Sequence, residues 1–61
     1  MENEFEIFGI SRAMLNGRNV KIARIYKFTE PNSWEFVNNF DVPVRIADKN
    51  IISYLKEQDR L

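Results

Sequence analysis

The chain has 61 residues, no cysteine and no histidine, and its nine Lys and Arg are balanced by nine Asp and Glu. That excludes disulfide staples and the usual zinc sites, and it argues against the basic balance of a general nucleic-acid coat protein. With 44% hydrophobic residues, five Phe, two Tyr and one Trp against two Gly and two Pro, it reads as one folded domain over residues 1–61. A domain this short buries only ~60% of its unfolded surface. Self-association or folding on a partner is the staple that remains.

No apolar run approaches the ~20 residues of a membrane-spanning helix. The opening Met-Glu-Asn-Glu-Phe-Glu is acidic, where a secretory signal begins basic. The expectation is a cytoplasmic protein with no membrane partner. There is no internal repeat, low-complexity tract or linker.

Two runs rich in β-branched and aromatic residues, Glu4 to Leu15 and Val20 to Thr29, flank Asn16-Gly17 and predict a β-hairpin. Glu30-Pro31-Asn32-Ser33 has turn chemistry and ends the second strand. Trp34, Phe36, Asn38 and Phe40 alternate and predict a third strand. Val42-Pro43-Val44-Arg45-Ile46 reads as a short extended piece, with Pro43 suited to an edge or a bend. The last element is a helix that Asp48 caps, with Ala47, Ile51 and Leu55 as its apolar stripe and Ile52 and Tyr54 on either side. Gln58 falls on the stripe, so burial is expected to end near Leu55. The class is α+β: an antiparallel meander of three to four strands with one C-terminal helix. The element order resembles small SH3-like or chromo-like barrels, some of which bind DNA. That resemblance implies a curled sheet and rests on element order alone.

A two-residue turn at Asn16-Gly17 sets the expected register. Phe5, Ile7, Gly9, Ser11, Ala13, Val20, Ile22, Arg24, Tyr26 and Phe28 then share one face, the better core candidate. The other face carries Glu4, Glu6, Phe8, Ile10, Arg12, Met14, Lys21, Ala23, Ile25 and Lys27. Phe8, Ile10, Ala23 and Ile25 make the middle of this second face apolar too, and one short helix cannot cover both sides of a sheet. Either the sheet curls into a small barrel with Gly9 as a bend, or a second copy or partner covers the exposed side. In this register Glu6 opposes Lys27, and Arg12 opposes Lys21, an unfavourable pair that a bound phosphate or a distant acid would relieve. A four-residue loop over residues 16–19 would remove that opposition without moving any side chain to the other face.

Residues 7–29 carry Arg12, Arg18, Lys21, Arg24 and Lys27 and no acid. Two-stranded ribbons enter DNA grooves, and sheets with exposed aromatics stack single-stranded bases. Against that, Glu2, Glu4, Glu6, Glu30 and Glu35 are at hand to neutralise the strands, and edge Lys and Arg commonly guard against aggregation. Catalysis is not expected: no flanking pattern activates Ser11, Thr29, Ser33, Ser53 or a lysine. Glu2, Glu4 and Glu6 are read as a solvated, edge-protecting segment, not a cation site. Trp34, Phe36 and Phe40 are expected in the core, and Trp34 becomes the first hot-spot candidate if it is exposed.

The resulting expectation is a non-enzymatic interaction protein, self-associating or bound to a protein partner, regulatory and without cofactor or metal. Its contact candidates are Phe8, Ile10, Ile25, Ile52 and Tyr54. The alternative is a nucleic-acid-binding protein using Arg12, Arg18, Lys21, Arg24 and Lys27.

Overall fold

A computed structural model describes residues 4–61. Strands β1 (Phe5–Leu15), β2 (Arg18–Thr29) and β3 (Ser33–Pro43) form one antiparallel sheet in the order β1-β2-β3. A 3₁₀ turn over Asp48–Asn50 leads into the helix α1 (Ile51–Glu57). The strands are 11, 12 and 11 residues long, and they draw the molecule out to 42 × 18 × 17 Å.

The α+β meander with a C-terminal helix is as expected, but a fourth strand and a closed sheet are not found among the described residues. Val42 and Pro43 complete β3, and the chain then turns. Pro43 lies at the end of an edge strand, where its missing N–H interrupts no ladder. β1 and β3 are the two edges of an open sheet, so the described strands do not close into a barrel.

Asn16 and Gly17 both have positive φ, 53° and 78°, and Leu15 pairs with Arg18. This two-residue turn matches the right-handed twist of the strands, and it rules out the longer loop. Arg12 therefore does stand opposite Lys21.

Two β-bulges then rearrange the faces. In β1 the register shifts between Ile7 and Gly9, leaving Phe8 as the extra residue. A bulge puts two residues of one strand against one of the other, so strict alternation fails across it. Glu6 consequently faces Tyr26, and Lys27 faces Phe5. Phe5 and Ile7 move to the side of Ala23 and Ile25, whereas Phe8 joins the side of Tyr26. In β3 the shift falls at Val37: Tyr26 pairs with Phe36, but Ile25 pairs with Asn38. That splits the run Trp34, Phe36, Asn38, Phe40 between two faces.

The core accordingly lies on the face opposite to the one alternation favours. Ala23, Ile25, Phe40, Val42, Ile51 and Leu55 are its buried residues, with Phe5, Ile7, Ile46, Ile52, Tyr54 and Leu61 packed around them. Ile25, Val42, Ile51 and Leu55 are fully enclosed. At ~1.5–3 kcal/mol for each fully buried aliphatic side chain, these four carry much of what such a small domain has. As the stripe predicts, Ile51 and Leu55 are buried and Gln58 is exposed; Ala47, at the head of the stripe, is exposed.

Asp48 is not a helix cap. The chain enters the 3₁₀ turn through Ala47, whose backbone is extended, and no side chain caps either the turn or α1. The Asp48 carboxylate instead accepts a hydrogen bond from Lys21 Nζ at 2.8 Å, and the same ammonium donates to the Ile46 carbonyl. Lys21 is the one buried charged residue of the described chain, its side chain 9% exposed. The acid that relieves the Arg12–Lys21 opposition thus comes from the start of the helix.

Candidate functional site

With α1 on one side, none of the described residues covers the other side of the sheet, and the two bulges gather aromatic rings there. Phe8 packs on Tyr26 with ring centroids 4.4 Å apart and on Trp34 at 5.5 Å. Tyr26 meets Phe36 at 5.4 Å, and Phe28 meets Trp34 at 5.2 Å. All five rings come from three strands and form one cluster, mostly in tilted or edge-to-face contacts of the kind aromatic quadrupoles favour. Mutual packing does not hide them: Phe8 is 48% exposed, Trp34 42% and Phe36 50%.

Trp34 and Phe36 are therefore surface residues, contrary to expectation, while Phe40 is in the core. The reason is the Val37 bulge, without which all three share a side. At ~200 Å² for a whole aromatic side chain, the exposed parts of Phe8, Trp34 and Phe36 present about 300 Å² of apolar surface. That matches the largest patch of a typical monomer, which is often functional.

Charged residues border the cluster on the same face, among them the acid Glu6 and the base Arg24. Glu6 stands opposite Tyr26, and Arg24, two residues along β2, stands opposite Gly9 and Asn39. The Arg24 guanidinium lies over Gly9 and lines a shallow depression of about 370 Å³ with Ile22 and Asn39. Neither Glu6 nor Arg24 has an ion-pair partner among the described residues, where the two ion pairs are Lys21–Asp48 and Arg60–Asp41.

The interface candidates read from the sequence are not brought together. Phe8 is in the aromatic cluster. Ile25 is fully buried and has no surface to offer, because Ile51 and Leu55 of α1 pack on its side of the sheet. Ile10, 38% exposed, pairs with Ala23 and so belongs to the helix-bearing side. Ile52 and Tyr54 are half-buried and pack against the core. Tyr26, Phe28, Trp34 and Phe36 complete the cluster in their place.

The basic residues are divided as well. Lys21 is sequestered by Asp48 and Ile46. Arg12 and Lys27 share its side of the sheet, and only Arg18 and Arg24 belong to the aromatic side. The strand glutamates do not neutralise them in ion pairs among the described residues; Lys27 stands beside Glu35 in the ladder without one. Glu2 lies outside the described residues. Among those that are described, no cluster of acids suits a metal ion, and no helix is long and apolar enough to cross a membrane. A scan of protein families, a search of curated proteins and a search of solved structures each find no match to this chain.

Proposed function

We propose that the chain is a non-enzymatic interaction protein that pairs with a second copy of itself through the aromatic half of its uncovered sheet face. The observation that carries this is the five-ring cluster of Phe8, Tyr26, Phe28, Trp34 and Phe36, with three of its rings 42–50% exposed. A small domain gains from burying such a patch, and aromatic rings are the residues enriched where interfaces hold their energy.

Self-pairing is favoured over another partner by the charges at the border. A two-fold interface sets the same patch against itself. With the axis passing between Glu6 and Arg24, each protomer's carboxylate meets the other's guanidinium, and both unpaired charges find a partner. The exposed ring surface of two protomers, about 600 Å², gives ~15 kcal/mol of gross apolar burial at ~25 cal/mol per Å². Association itself costs ~4–15 kcal/mol. The dimer is therefore weak and concentration-dependent, in the class that buries less than ~1,200 Å².

A charge exchange tests the pairing without touching the rings. Glu6→Arg and Arg24→Glu each weaken association, because each brings like charges together, and the double variant restores it. Weakening that simply adds in the double variant would remove the proposed geometry. Nucleic-acid binding is the competing reading. It draws support from Arg24 beside exposed rings, but the five hairpin cations do not share a face. It predicts that a single-stranded oligonucleotide quenches Trp34 fluorescence with a steep salt dependence. Under self-association the quenching follows protein concentration and not added oligonucleotide.

A further inference from the structure

The opposite end of the molecule, at the hairpin tip, holds a cleft of about 510 Å³ that the aromatic cluster does not enter. Arg18 from the start of β2, Arg45 from the turn after β3 and Arg60 from the segment after α1 all line it, with Asn19 and Tyr54. These arginines are 27 and 15 residues apart in sequence, so the fold brings them to one concavity. Arg60 is held in place: one nitrogen donates to Asp41 Oδ1 at 2.9 Å, another to the Asp41 carbonyl at 3.0 Å, and the guanidinium lies over the Phe40 ring. Arg18 and Arg45 have no ion-pair partner among the described residues. Three arginines less Asp41 give the lining a formal charge of +2, on a chain whose net charge is zero.

Cations scattered along a sheet edge would protect it from aggregation. Cations converging on a cleft repel one another, and that repulsion is relieved by an anion between them. We propose that this cleft binds a phosphate monoester, with Arg18 and Arg45 as its free guanidinium donors and Arg60 as the donor that Asp41 orients. A phosphate monoester carries about −1.5 to −2 at neutral pH, which matches the lining. Guanidinium forks suit its oxygens in pairs. The volume lies in the ~300–1,000 Å³ range of small-molecule sites, so room remains beside the phosphate for an organic group against Tyr54. The cleft and the aromatic cluster occupy different ends of the sheet, so this site stands whether or not the chain self-associates.

The test is an NMR titration of amide shifts with inorganic phosphate, adenosine monophosphate and adenosine, on the native chain and on Arg18→Gln/Arg45→Gln. Both phosphates shift the amides of residues 16–19 and 44–46, and adenosine does not. The double variant keeps its melting temperature and loses about tenfold or more in affinity, since hydrogen bonds to charged groups are the strong ones. Binding also weakens as pH falls through about 6, where the monoester dianion takes up a proton and drops to a single negative charge. A 5′-phosphorylated dinucleotide binding more tightly than adenosine monophosphate assigns the group to a strand end; the reverse order assigns it to a free mononucleotide. No shift at millimolar phosphate, shifts spread evenly over every arginine, or affinity unchanged in the double variant each overturn the proposal.

Discussion

Asp48→Ala strips the Lys21 ammonium of its carboxylate and leaves it, 9% exposed, with the Ile46 carbonyl as its remaining acceptor. Hydrogen bonds to charged groups contribute ~1.5–3 kcal/mol. Asp48 is itself 65% exposed, so water takes over part of its role, and the lower figure applies. The expected loss is about 1.5 kcal/mol, which moves the melting temperature of so small a domain down by ~6–12 °C. Lys21→Met behaves differently. It keeps the apolar stem, removes the buried charge, and leaves Asp48 in water, so its stability stays within ~1 kcal/mol of the native chain. In the Lys21→Met background, Asp48→Ala then has almost no effect. Urea unfolding of the four proteins in this cycle measures the coupling directly. If Asp48→Ala is equally damaging with and without Lys21, the ion pair is not what ties the start of the helix to the sheet.

Three further outcomes are expected. Gly17→Ala costs ~1–2 kcal/mol, because φ of +78° strains any residue with a Cβ; an unchanged thermal midpoint would count against the two-residue turn. Leu55→Ala, at a fully buried site, costs ~2–5 kcal/mol, enough to unfold much of a population whose core supplies only ~3–5 kcal/mol. Ile25→Lys unfolds the chain outright, whereas Phe36→Ser at high dilution changes stability by only about 1 kcal/mol, near the worth of an aromatic pair. Far-ultraviolet circular dichroism separates these cases, and equal losses at Phe36 and Leu55 would mean that the outer face is part of the core.

The element order was readable in the residues because its signals are local. Asn16-Gly17 dictates the hairpin turn, Pro31 and Asn32 break the chain before β3, and the spacing of Ile51 and Leu55 marks the buried stripe of α1. Alternation failed at two places for one physical reason. Neither Phe8 nor Val37 looks like a bulge residue, since a bulge depends on how the neighbouring strand pairs and not on local preference. One unrecognised residue in β1 exchanges the faces of Phe5 and Ile7, and one in β3 parts Trp34 and Phe36 from Phe40. The general conclusion, that the hairpin is apolar on both sides, survived because it needs only the residue types. Of the particular contact residues, Phe8 is exposed in the aromatic cluster, whereas Ile25 is fully buried. The partner of Lys21 was not legible either: Asp48 lies 27 positions away, in a place where a helix cap was the simpler expectation.

Sedimentation equilibrium of the native chain from low micromolar to millimolar concentration, with Trp34 emission recorded on the same samples, tests the aromatic face most directly. Trp34 is 42% exposed in the protomer and is the chain's single tryptophan, so its emission reports this face alone. Self-pairing predicts a reversible rise from monomer to dimer mass, with the emission shifting to the blue over the same concentration range. A strict monomer throughout, or a dimer whose Trp34 emission does not change, would contradict it.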